Sequence, residues 1–142
     1  MQELQEFLIK TELVPEKSVA LTHARDIETM ISVNTEGKHE TAHSPVEVII
    51  GSLGSCLTIN VQRFAKMMNL SLGKIEVSLK GYRDRSIPQL VKIEYILSVE
   101  SDADEETLDK MKEFIENKST TYNTLKNSVE ISGIVRPYAI EE

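Results

Sequence analysis

Residues 44–68 read SPVEVIIGSLGSCLTINVQRFAKMM, and this stretch decides the fold. Val46, Ile49, Ile50, Leu53, Leu57, Val61 and Phe64 recur at spacings of three and four, the signature of one apolar helical face. Ser44 stands where a cap is needed, Pro45 suits the first helical position, and Glu47 falls three residues after Ser44, completing a capping box. A helix is therefore predicted from Ser44 to about Asn69, ended by Gly73 and a change to period two. It also carries the chain's single cysteine, Cys56.

On either side the patterning changes. Downstream, Ile75, Val77 and Leu79 alternate with Glu76, Ser78 and Lys80, and the alternation resumes in Val91, Ile93, Tyr95, Leu97 and Val99 after the polar loop RDRSIPQ. Two long antiparallel strands are expected, with these apolar residues inward. SDADEETLDKMKEFIENK returns to helical spacing through Leu108, Met111 and Ile115, with Ser101 or Asp102 as its expected cap and acids in its first turn. STTYNTLKN reads as a turn and short helix, and VEISGIV as a last strand. Upstream, strands are expected near Phe7–Leu13, Ser18–His23 and Thr29–Asn34. The order of elements gives an α+β class with an antiparallel sheet.

At 142 residues the chain is expected to form one domain, 1–142. Its 16 basic and 23 acidic residues leave a net charge of −7, and the bases form no stripe, which argues against nucleic acid and anionic membrane as partners. The apolar run from Val48 to Gln62 is diluted by small and polar residues, and the amino terminus lacks signal-peptide character, so a cytoplasmic protein is expected.

A lone cysteine well inside a helix is more often a small buried hydrophobe than a nucleophile. Chemistry would require a cation or oriented donors to lower its pKa. Arg25, at the turn between two early strands, is the candidate cation. Arg63 lies seven residues on, about 700° around and about 10 Å further along the helix, less suited to reach the sulfur. Glu47 is nine residues before Cys56, about 900° of rotation, so the two side chains point to opposite faces of their helix. Any chemical role for Glu47 toward a cysteine therefore calls for a second subunit. Gly51, Gly54, Ser55 and Thr58 flank the apolar face, compatible either with packing on the chain's own sheet or with a second helix across a dimer. His23, His39 and His43 are not spaced as a helical metal pair, and neither a metal nor another cofactor is expected.

The Pro-x-Glu opening with its G-x-C in SPVEVIIGSLGSC, followed in order by the hairpin, the acid-capped helix and TYNTLKNSVEISG, resembles the OsmC/Ohr family of osmotically induced and organic-hydroperoxide-resistance proteins. The resemblance runs from about Ser44 to the end. It implies an intertwined homodimer, with antiparallel sheets wrapped around paired central helices and an active site at each end of the interface. It further implies a peroxidatic cysteine at Cys56, oxidised by peroxide to a sulfenic acid, a thiolate-holding arginine best matched by Arg25, and a glutamate near the helix start that fixes that arginine. Two departures are evident. Ser119 stands at the place of the family's resolving cysteine, and Val46 follows Pro45 where the peroxidases have glutamate, leaving Glu47 one residue later. The expected function is a one-cysteine, thiol-dependent peroxidase reducing organic hydroperoxides with an external thiol as reductant. The competing readings are a non-enzymatic dimer binding a small apolar ligand at its interface, and a thiol that carries sulfur or an acyl group.

Overall fold

A computed structural model describes residues 2–139. The chain divides into two compact units, residues 1–49 and 50–142, with the long central helix running through the division.

In the first unit, β1 (Lys10–Val14), β2 (Val19–Ala24) and β3 (Ile27–Ser32) form an antiparallel meander in the order β1-β2-β3. A 3-10 turn at Pro15–Lys17 joins the first two strands and closes on Ser18, whose φ of 52° is left-handed. The second connection is the two-residue turn Arg25-Asp26, with Ala24 paired to Ile27. That tight turn starts β3 at Ile27, two residues before the sequence pattern suggested. The unit ends in the first turn of α1 (Pro45–Met68), where the expected capping box is complete: the Ser44 amide donates to Glu47 Oε1 at 2.9 Å, and the Glu47 amide donates to Ser44 Oγ at 3.2 Å.

The second unit contains the core. Leu53, Leu57, Val61 and Phe64 of α1 are buried against Ile93, Tyr95, Leu97 and Val99 of the sheet and Leu108, Met111 and Ile115 of a second helix. The predicted stripe thus becomes the packed face, except that Ile49 at its start remains 42% exposed. By length and composition α1 could cross a bilayer, but the burial of its central apolar residues among those of the sheet marks it as a core helix. Phe64 and Phe114 meet as a tilted aromatic pair with centroids 5.5 Å apart.

The sheet of this unit has the order β4-β5-β6, from β4 (Leu72–Asp84), β5 (Gln89–Ser101) and β6 (Glu130–Pro137). The β4–β5 hairpin is antiparallel, as expected, while β6 pairs parallel to β5. The sheet is therefore mixed and not wholly antiparallel. The cause lies in the connection: α2 (Glu105–Lys118) and α3 (Thr120–Leu125) occupy it, and a parallel pair requires such a crossover. The cap of α2 is Asp104, which accepts from the Thr107 amide at 2.8 Å, and not Ser101 or Asp102. The β5 strand continues through Ser101, which carries the helix start further along the chain.

Val91, expected inward, is exposed. The hairpin register shifts between Tyr82↔Lys92 and Arg83↔Leu90, leaving Val91 as the extra residue of a bulge, so Leu90 takes its place against the core. Near the centre of the sheet, Tyr95 donates from its hydroxyl to Glu116 Oε2 at 2.8 Å. Burial first, and then this hydrogen bond, pushes its phenol far above the ordinary value, so it remains a donor. Gly133 on β6 lies beside Tyr95, where an added Cβ would collide with the ring. Gly133→Ala is expected to displace the Tyr95 ring and lower stability by about 1–3 kcal/mol in denaturant unfolding. An unchanged midpoint would contradict this packing.

Candidate functional site

Cys56 occupies the margin of α1. Its neighbour Leu57 is fully buried, while Ser55 and Ile59 are exposed. The half-buried Cys56 therefore combines a packed side with access to solvent. Asn60, one turn later and buried, donates from Nδ2 to the Cys56 carbonyl at 3.0 Å and accepts from Arg63 Nη1 at 3.3 Å. Arg63 is thus engaged with Asn60.

The partners of the sulfur come from the crossover. Ser119, fully buried, is both the residue that ends α2 and the cap that begins α3. Its Oγ accepts from the Tyr122 amide at 3.1 Å, and its carbonyl accepts from the Asn123 amide at 3.0 Å. The groups that lower the pKa of the Cys56 thiol are the Ser119 side chain, the Thr121 backbone and side chain, and the Thr120 backbone. Amides in the first turn of a helix have no partner within that helix, which leaves them free to serve an outside acceptor. Burial, the largest single effect, pushes the thiol up, but these donors together outweigh it and hold Cys56 below the ordinary cysteine value.

The sequence marked Ser119 only by its place in a family pattern, and it did not mark Thr120 or Thr121. The readable signal was Ser119 as a cap preceding the short TYNTL helix. That it caps beside Cys56 depends on the parallel return of β6 and its crossover.

Arg25 and Glu47 belong to the first unit. Arg25 is exposed in the β2–β3 turn, with a left-handed φ of 57°. Glu47 is exposed in the first turn of α1 and engaged in the capping box. The Ser44 amide first, then the Ser44 hydroxyl, and further His43 and His39, hold its carboxyl below the ordinary carboxylate value. His39 Nδ1 lies 2.7 Å from Ser32 Oγ, and His23 lies 3.8 Å from Glu28. Among the described residues, no three metal-binding side chains are gathered at one point.

The fold is thus α+β, with a half-buried cysteine on its long central helix. Residues 35–132 match the model of the OsmC-like protein family, and the chain belongs to that family. Solved structures agree in fold. An OsmC-like protein from Mycoplasma pneumoniae superposes with a TM-score of 0.84 at 14% identity, covering 94% of this chain and 99% of that one. An organic hydroperoxide resistance protein from Elizabethkingia anophelis gives 0.74 at 10% identity, with 97% and 100% covered. The organic hydroperoxide resistance protein OhrB of Bacillus subtilis gives 0.64 at 15% identity, with 94% and 99% covered. No curated protein matches the sequence.

The donors around Cys56 have a measurable consequence. Its alkylation by iodoacetamide, followed against pH, is expected to reach half-maximum below about pH 8.5, the value of an unperturbed thiol. Because the folded pKa is the lower one, the associated stability is fully present above the unfolded pKa and fades as pH falls through the folded one. A midpoint above 9 would show that burial prevails over the donors.

Proposed function

We propose that the protein is a one-cysteine, thiol-dependent peroxidase for organic hydroperoxides, acting in the cytoplasm as a homodimer of single-domain subunits. The observation that carries this reading is a half-buried Cys56 on the margin of the central helix, whose thiol is held below the ordinary cysteine value by groups of Ser119, Thr121 and Thr120. Thiolate is the nucleophilic form of cysteine, and donors that favour it prepare attack on an electrophilic oxygen. The fold shared with organic hydroperoxide resistance proteins supports the choice of substrate.

In the proposed reaction the Cys56 thiolate attacks one peroxide oxygen. A sulfur–oxygen bond forms, the oxygen–oxygen bond breaks, and the other oxygen leaves as alkoxide and takes a proton to become an alcohol. Sulfur has given two electrons and become a sulfenic acid. Cys56 is the chain's single cysteine, so an external thiol condenses with the sulfenic acid, releasing water and forming a mixed disulfide. A second external thiol returns Cys56 to the thiol and departs as a disulfide with the first. Arg25 is the proposed cation beside the thiolate, and Glu47 the carboxylate that fixes it across the dimer.

The dimer is supported by apolar surface left uncovered in each unit, including Phe7 (73% exposed) and Leu8 (77%) near the amino terminus and Ile59 and Met67 on α1. Gly51 on α1 has open space around it, while Gly54 packs on Leu79 of its own sheet. The small-residue flank is therefore partly spent within the chain, and its Gly51 side remains available to a second helix.

Intact mass tests the reaction. With stoichiometric organic hydroperoxide the protein is expected to gain one oxygen, with excess a second, and after addition of a small thiol to form a mixed disulfide. Arg25→Ala should slow the first gain. A Cys56 that gains no oxygen under these conditions would overturn the peroxidase reading in favour of a ligand-binding dimer, and a stable folded monomer at micromolar concentration in sedimentation would overturn the dimer.

A further inference from the structure

We propose that the outer face of the β4-β5-β6 sheet holds a binding site for a free apolar α-amino acid, with Arg136 taking its carboxylate, Glu76 its ammonium, and Ile96 and Ile134 its side chain. The site lies on the face of the sheet opposite α1, apart from Cys56, and takes no part in the thiol chemistry proposed above.

Register places these groups together. Ile93, Tyr95, Leu97 and Val99 point into the core, so the alternate residues of β5 point outward. On that outward face Glu76 pairs with Ser98 and Ser98 with Arg136, which makes one row across the three strands. The next row is Ser78, Ile96 and Ile134. Strands about 4.8 Å apart make each row roughly 10 Å long, and two residues of rise separate the rows by about 7 Å. Ile96 and Ile134 stand side by side, 37% and 50% exposed. A hollow of about 620 Å³ is lined by residues that include Glu76, Ser78, Ser98, Arg136 and Tyr138. A second, of about 400 Å³, takes in Ser78, Ile96 and Ile134, so Ser78 borders both.

Hydrogen bonding and charge set what the first row can hold. Arg136 donates from Nε to Ser98 Oγ at 3.1 Å, which turns the guanidinium over the middle of the row and leaves its Nη edge for an acceptor. Arginine presents paired donors matched to a carboxylate. Neighbouring charges are already placed. Lys74 Nζ lies 4.8 Å from the centre of the Tyr138 ring, Glu100 Oε2 accepts from the Lys74 amide at 3.0 Å, and Lys92 Nζ pairs with Glu94 at 3.1 Å. Among the described residues neither Arg136 nor Glu76 belongs to an ion pair. A cation and an anion on opposite sides of one serine suit a ligand that bears both charges on one carbon. A plain anion would meet Glu76, and a plain cation would meet Arg136. An amino acid with its α-carbon over Ser98 presents its carboxylate to one and its ammonium to the other. Its side chain then runs along the strands to Ile96 and Ile134, and the separation of the rows, about 7 Å, favours a long apolar side chain such as that of phenylalanine.

The test is titration of the wild-type protein with phenylalanine, followed through backbone amide NMR shifts. Saturable shifts centred on Ser78, Ile96, Ser98 and Ile134 are expected. Three further probes each remove one element: 3-phenylpropionate lacks the ammonium, phenethylamine lacks the carboxylate, and glycine lacks the apolar side chain. Each is expected to bind about tenfold more weakly, because it forgoes one charge-assisted hydrogen bond or one apolar contact. Phenylalanine should lose about the same factor against Arg136→Ala and against Glu76→Gln. If phenylalanine gives no saturable shifts at tens of millimolar, the proposal fails. It fails equally if 3-phenylpropionate or phenethylamine binds as tightly as phenylalanine, or if both charge variants keep the wild-type affinity. Should a variant unfold, the probe series on the wild-type chain still decides.

Discussion

The second unit depends on the burial of one narrow stripe of α1. Leu53, Leu57, Val61 and Phe64 must leave water together, and the sheet face bearing Ile93, Tyr95, Leu97 and Val99 is the surface that receives them. Burying such side chains contributes about 1.5–3 kcal/mol each, far more than any surface ion pair in the chain. The stripe is narrower than the helix, so it has margins, and Cys56 stands on one of them, about 100° from Leu57. A cysteine on the stripe would be inert packing. One on the opposite face would have no fixed neighbours. At the margin it is half-buried and can be met by another element.

That other element is supplied by topology. The mixed sheet needs a crossover to bring β6 parallel to β5, and α2 and α3 are the crossover. Leu108, Met111 and Ile115 anchor α2 in the same core as α1, so the chain emerging from its end at Ser119 is held close to Cys56. Packing of the core and polarisation of the thiol are thus parts of one arrangement. Neutral donors fixed in place by folding can favour a thiolate, because they need no reorganisation when the charge appears.

Much of this was legible from local pattern. The α1 stripe, its capping box at Ser44 and Glu47, and the alternation of β5 all follow from neighbouring residues, and apart from Ile49 and Val91 the structure places them as read. Features set by distant pairing were not. Val91 keeps the inward parity of its strand, and only the register against β4 reveals the bulge that turns it outward. The parallel direction of β6 is invisible in VEISGIV, which has the same alternation in either orientation. For the site, Cys56 could be singled out from sequence, whereas the influence of Ser119, Thr120 and Thr121 on its thiol comes from the crossover. Asn60 also looks like an ordinary polar residue in the sequence, although buried it ties the Cys56 carbonyl to Arg63.

The central claim is that the fold makes Cys56 a nucleophile toward peroxide. Its most direct test is the second-order rate constant for oxidation of Cys56 by an organic hydroperoxide near neutral pH, compared with free cysteine under the same conditions. The account requires the protein thiol to react faster, with a rate that rises with pH along the Cys56 titration. A rate equal to or below that of free cysteine would contradict it.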